Sequence, residues 1–200
     1  MKNVDLTSSA APSLSRAQRR NLAIAQRDRQ SKTDIAAWNQ SLQNHLLQCW
    51  PKPPGRIIGF CWPIKNEPDV FEVIAQWARQ MPLVAALPVV NGPNLPLAFR
   101  PWYPGAAMVT DRYGIPTPAE GDFVSPDVLL IPLNVFDAAG YRIGYGGGFF
   151  DRTLATLQPR PLAIGIGFEI GRVPDIFPEA HDQPLDWIVT EAGATKIPNP

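Results

Sequence analysis

The residues best equipped for chemistry lie in one short run, Arg142-Ile143-Gly144-Tyr145-Gly146-Gly147-Gly148-Phe149-Phe150-Asp151. Four glycines in five positions permit positive φ angles and let backbone N–H groups approach a ligand without interference from Cβ atoms. A helix predicted from about Phe149 to Leu157 follows at once. Its unpaired N–H groups and positive dipole end lie beside the loop, which makes an anion site, and phosphate is the usual anion. Arg142 adds a bidentate donor for phosphate oxygens. Asp151, in the first turn, compensates the helix dipole when it stands alone; beside a bound polyphosphate, holding Mg²⁺ becomes the better role for it.

Two familiar glycine motifs do not fit. A Walker loop requires Gly-Lys-Ser/Thr, and no Gly-Lys pair occurs in the chain. The dinucleotide fingerprint requires a glycine where Phe149 stands. Metal centres built from soft ligands are also disfavoured, because Cys49, Cys61, His45 and His181 are few and scattered. The two cysteines read as small hydrophobes.

The elements that must position this loop follow from periodicity. Leu14–Gln30 reads as a helix whose face is unusually basic: Arg16, Arg19, Arg20, Arg27, Arg29 and Lys32 stand against Asp28 alone. Ile35, Trp38, Leu42, Leu46 and Cys49 recur at helical spacing until Pro51. Ile57–Trp62, Leu83–Val90, Leu97–Trp102, Val128–Pro132, Leu162–Phe168 and Trp187–Thr190 are apolar runs of strand length. Glu67-Pro68-Asp69 reads as a helix N-terminus, with Phe71, Ile74, Ala75 and Ala78 as its buried stripe. A turn is expected at Asp137–Gly140, and hairpins and loops between Asn91 and Ser125. Strands apolar nearly throughout, alternating with helices, predict an α/β fold with a mostly parallel central sheet covered by helices on both faces.

At 200 residues and 45% hydrophobic, the chain suits one domain, expected over residues 13–192. Residues 1–12 are expected to be disordered and 193–200 to form a C-terminal tail. Eighteen basic and eighteen acidic residues cancel, so no global field draws the chain to nucleic acid or membrane. The first dozen residues carry no signal-like apolar core, and Met81–Val90 is too short to span a bilayer. A cytoplasmic monomer is expected.

The run PLNVFDAAGYRIGYGGGFFDRTLA closely resembles the signature of 5-formyltetrahydrofolate cyclo-ligases, also called methenyltetrahydrofolate synthetases. WPIKNEPDV from Trp62, GIPTP from Gly114 and His181-Asp182 match as well, and the resemblance extends from about Arg16 to Glu191. It implies a three-layer α/β sandwich and conversion of 5-formyltetrahydrofolate to 5,10-methenyltetrahydrofolate, with ATP as cosubstrate and Mg²⁺ as cofactor. Carried over position by position, it implies that Arg16, Arg20 and the loop Arg142–Phe150 bind ATP, with Arg27 continuing the basic spacing. Asp151 and Asp182 become the metal-associated acids. Arg142, Tyr145 and Asp151 are expected to serve catalysis, and Trp62, Glu67, Tyr145 and Phe149 to bind the folate. Taken by itself, Trp62 reads as a core residue.

Departures from the family pattern are visible. Arg16 replaces the usual lysine, Phe149-Phe150 a tyrosine pair, and Thr117 a glutamate before Pro118. The missing hydroxyls and carboxylate motivate an alternative reading, a catalytically weakened nucleotide- or RNA-binding module on the same scaffold. A related enzyme acting on another formylated pterin is a third.

Overall fold

Each run of apolar residues long enough to be buried on two faces becomes a strand of one sheet. The computed structural model describes residues 14–198; the expectation for residues 1–12 lies outside them. Its elements are α1 (Arg16–Asp28), α2 (Lys32–Cys49), β1 (Ile57–Gly59), α3 (Phe71–Gln80), β2 (Val84–Val89) and β3 (Ala98–Trp102). They are followed by β4 (Met108–Thr110), β5 (Pro116–Pro118), β6 (Val128–Pro132), β7 (Val135–Phe136), β8 (Arg142–Ile143) and α4 (Phe149–Thr156). β9 (Leu162–Ile166), a 3-10 turn at Glu169–Gly171, β10 (Trp187–Thr190) and β11 (Gly193–Lys196) complete the chain.

The seven-stranded sheet has the order β11-β10-β9-β6-β1-β2-β3. Its inner pairs are parallel, and the edge strands β3 and β11 are antiparallel. Side chains alternate faces along β6. Val128 and Leu130 join the core under α2 and α3, whereas Leu129 and Ile131 join the core under α4. The expected layers, helices on both faces of a mostly parallel sheet, are therefore present. α1 stands apart, touching a small third cluster through Ala23 and Leu22.

Several ends shift by one to three residues, among them β1, which stops at Gly59 rather than Trp62; two further boundaries differ in kind. The tail expected after residue 192 begins instead with β11, which pairs with β10 from Trp187↔Lys196 to Thr190↔Gly193. Ile197 is 4% exposed. Gly-Ala-Thr-Lys carries too little apolar character to announce a strand. Glu67-Pro68-Asp69 also precedes its helix rather than opening it: α3 starts at Phe71, and the Asp69 carboxylate accepts from the Phe71 N–H at 2.9 Å.

β1 leads through α3 to β2 on one side, while β6 leads through α4 to β9 on the other. The direction in which strands are added along the sheet thus reverses between the adjacent parallel strands β1 and β6. In open parallel sheets, ligands bind beyond the carboxyl ends of the strands at such a switch point.

Candidate active site

A cleft of about 540 Å³ opens at that point. Cys61 just beyond β1, Pro132 ending β6 and Pro88 near the end of β2 contribute to its wall. The glycine loop, Phe149, Phe150 and Asp151 form another part, and Arg16, Arg20 and Asp182 complete it. Sequence-distant groups expected at the phosphate end therefore meet in one place.

Within the loop, only Gly146 (φ +89°) and Gly148 (φ +61°) use the left-handed region. Gly148 is the N-cap of α4 and supplies no side-chain cap bond to the first-turn amides. Gly146 is also needed for close approach, since a Cβ there would meet Arg20 Nη1 at 2.7 Å. Arg152 holds the loop from outside, donating to the Gly147 carbonyl at 2.6 Å and to the Leu95 carbonyl at 3.3 Å. Thr153 accepts from the Leu97 N–H at 2.9 Å and donates to the Phe149 carbonyl at 2.8 Å, seating the start of α4.

The charged groups are arranged in pairs. Arg142, 5% exposed, donates to Asp151 Oδ1 at 2.8 Å and to the Gln183 carbonyl at 2.7 Å. Burial pulls its proton affinity down, and the Asp151 and Asp182 charges oppose that shift. The Gln183 N–H reaches the same Asp151 oxygen at 3.1 Å. Arg16 forks onto both oxygens of Asp182 at 2.9 and 3.0 Å. Asp182 Oδ2 also accepts from the Glu179 N–H at 2.8 Å. Among the described residues, Asp151 Oδ2 receives no hydrogen bond.

The basic face of α1 turns inward. Arg16 and Arg20 line the cleft, Arg19 donates to the Asp175 carbonyl at 3.0 Å and stacks on Phe177, and Arg27 is 3% exposed. These four arginines do not form a solvated basic strip.

The residues expected to bind the folate are placed less directly, and Glu67 and Trp62 do not line the cleft. Glu67, 4% exposed, sits behind the glycine loop and accepts from the Tyr145 hydroxyl at 2.8 Å and the Ile64 N–H at 3.1 Å. Burial raises its pKa above the ordinary 4.5, against the lowering effect of those bonds and of Arg27 and Lys65. Burial and the Glu67 charge push the Tyr145 phenol upward in turn. Trp62 packs edge-on against Phe71 with ring centroids 5.1 Å apart, as a core side chain does. Thr117, which replaces the family's glutamate, donates to the Pro88 carbonyl at 2.8 Å and pins the β4–β5 hairpin to β2. Asp137 organises the β7–β8 turn, accepting from the Ala139, Tyr141 and Ile176 amides.

Sequence reasoning missed Asn134 and Lys65, which meet Arg27, and Tyr113, which joins the cleft wall and meets Phe149 with centroids 6.0 Å apart. Arg27 lies eleven residues after Arg16, three helical turns along the same face, so the periodicity held a signal for it. The others carried none.

The scaffold is a doubly wound α/β fold with a glycine loop, paired acids and inward arginines gathered at its switch point. Residues 13–191 match the model of the 5-formyltetrahydrofolate cyclo-ligase family, and the chain belongs to that family. A 5-formyltetrahydrofolate cyclo-ligase of Haemophilus influenzae is 35% identical over 95 residues, which are 44% of this chain and 51% of the relative. The chain spans about half the length of the first curated relatives it matches, 51% and 55%. The fold is similar to that of a 5,10-methenyltetrahydrofolate synthetase from Mycoplasma pneumoniae (TM-score 0.74, 24% identity, 89% of this chain and 99% of that one). A synthetase from Aquifex aeolicus gives a TM-score of 0.76 at 23% identity, over 92% of this chain and 94% of that one.

Proposed function

We propose that this chain converts 5-formyltetrahydrofolate to 5,10-methenyltetrahydrofolate, consuming ATP with Mg²⁺ and releasing ADP and phosphate. The observation that carries the reading is the convergence of the glycine loop, Arg16, Arg20, Arg142, Asp151 and Asp182 on one cleft at the sheet's switch point. The activity named for its curated relatives supports the choice of substrate.

A formyl amide carbon is a poor electrophile because nitrogen donates into its carbonyl, and its oxygen is a poor leaving group. In the proposed reaction that oxygen attacks the γ-phosphorus, the bond to the ADP oxygen breaks, and the carbon is left bearing phosphate. The N10 lone pair then bonds to the carbon, the carbon–oxygen bond breaks, and phosphate departs with the proton that N10 loses. The protein's part is positioning and charge neutralisation. Amides of Gly144–Gly148 and the α4 N-terminus hold phosphate oxygens, and Arg16 and Arg20 approach from α1. Arg142 is engaged with Asp151, so it aims that carboxylate as well as supplying charge. Ring closure is already intramolecular, so the protein's share is to hold N10 and the formyl carbon in a reactive orientation.

The donor set fits Mg²⁺, a cation that takes one or two carboxylates together with substrate phosphates. Asp151 Oδ2 is the oxygen open to it, and Asp182 joins if Arg16 turns from that carboxylate to phosphate. Held by those residues, Mg²⁺ would supply positive charge against the phosphate groups. Glu67 is the acceptor for pterin N–H groups in this reading, and Phe149 the apolar contact. The same reading makes the protein a cytoplasmic monomer whose partners are ATP and the folate; no described helix is long and apolar enough to cross a membrane.

The test is appearance of methenyltetrahydrofolate absorbance from 5-formyltetrahydrofolate with Mg²⁺-ATP. Folded protein that binds ATP yet makes no product sinks the reading.

A further inference from the structure

Tyr145 stands inside the glycine loop, yet its hydroxyl is not directed to the phosphate end. It donates to Glu67 Oε1 at 2.8 Å, while the Ile64 N–H donates to Oε2 at 3.1 Å, so the chain itself holds both oxygens of this buried carboxylate. Arg27 fixes the phenol from the other side, with Nη2 3.4 Å from its oxygen. The remaining guanidinium nitrogens bind elsewhere, Nη1 to Asn134 Oδ1 at 3.0 Å and Nε to the Lys65 carbonyl at 2.9 Å. Lys65 and Asn66 both occupy the left-handed region (φ 49° and 56°), and the turn they make delivers Glu67 to the interior. One buried arginine thus ties together the turn that carries Glu67, the connector after β6, and the glycine loop.

Glu67 is 4% exposed and its Oε1 faces the Tyr145 hydroxyl, so a pterin N–H that reaches this carboxylate competes with that hydroxyl for room. A triphosphate that draws the Gly144–Gly148 backbone around itself pulls on the same phenol. We propose that Tyr145, positioned by Arg27, latches the two half-sites together, so that nucleotide and folate bind with positive cooperativity. The proposal rests on the reading of Glu67 as the pterin acceptor. Whichever ligand arrives first opens the latch, and the second finds it open. Such coupling is reciprocal. Its expected size is about tenfold, the equilibrium weight of one hydrogen bond to a charged acceptor. A hydroxyl that only contacts substrate would lose affinity on removal. A latch gains it, because nothing is left to break.

The experiment is titration calorimetry with 5-formyltetrahydrofolate and with a non-hydrolysable ATP analogue plus Mg²⁺, each alone and with the other saturating. Wild type, Tyr145→Phe and Arg27→Lys are compared; the phenylalanine keeps the ring packed under Lys65, whose Nζ lies 5.6 Å from its centroid. Wild type should bind each ligand about tenfold more tightly when the other is present. Tyr145→Phe should bind the folate alone about tenfold more tightly than wild type, with its coupling factor near one. Arg27→Lys, which keeps the charge but not the three-way grip, should show a smaller factor than wild type. Two ligands that bind wild type independently overturn the latch and leave the substrate reading standing. Unchanged coupling in Tyr145→Phe, or weaker folate binding by it, also overturns the latch. Failure of folded wild type to bind either ligand removes the substrate reading and the latch with it.

Discussion

Replacing Asp151 separates two roles that meet on one carboxylate. Oδ1 balances Arg142, whose side chain is 4% exposed, while the Asp151 side chain is 19% exposed. Removing one partner of a fully buried ion pair costs about 3–5 kcal/mol. Solvent at Asp151 screens part of this, so Asp151→Ala should cost about 2–3 kcal/mol, which lowers Tm by about 4–12 °C in a domain of this size. Asp151→Asn keeps an oxygen for Arg142 and for the Gln183 N–H, and should cost about 1 kcal/mol, or about 2–4 °C. Turnover should respond in a different ratio. If Oδ2 holds the cation, loss of the charge alone lowers the rate at least about 100-fold in both variants. Calorimetric melting and initial rates of methenyl product formation measure the two effects separately. An asparagine variant that works at the wild-type rate, or two variants that melt alike, would refute the division of labour between the two oxygens.

Gly146→Ala places a Cβ 2.7 Å from Arg20 Nη1 at φ +89°, so it should raise KM for ATP while costing about 1–2 kcal/mol of stability; an unchanged KM would detach Arg20 from the nucleotide. Thr117→Val removes the bond to the Pro88 carbonyl and should lower stability by about 1 kcal/mol with kcat retained, measurable by urea denaturation and steady-state kinetics. Glu67 binds its proton more tightly when folded than its ordinary value of 4.5 allows, so its contribution is favourable at low pH and falls as pH rises above that value. The stability of Glu67→Gln relative to wild type should therefore rise from acid towards neutral pH, and a flat difference would contradict the burial effect. Mg²⁺ alone should leave Tm unchanged, because Arg16 occupies both Asp182 oxygens, whereas Mg²⁺ with ATP should raise it; a shift from the bare ion would indicate a preformed metal cage.

Much of the scaffold was legible because burial on two faces leaves a plain mark. Val128–Pro132 and Trp187–Thr190 were readable to the residue, as continuous apolar runs of strand length. β7 and β8 were not, because two residues are too few to show a period, nor was β11, whose four residues carry little apolar character. At the site, residue types were legible and partnerships were not. The glycine loop and Asp151 could be read as phosphate chemistry, but nothing in spacing joins Arg16 to Asp182 across 166 residues. Glu67 misled for a physical reason. An acid before a proline resembles the start of a helix, and here two consecutive left-handed residues bury it instead.

The strand order has a consequence for how the chain must be made. β1 is an interior strand of the sheet, but its second neighbour, β6, begins seventy positions after the residue it pairs with, Ile58↔Val128. At about 5–20 residues per second of synthesis, an emerging chain waits roughly 4–14 s with one flank of that apolar strand unpaired. Nascent-chain protection, by a chaperone or by slowed decoding, should matter most in that interval, before Val128 leaves the ribosome.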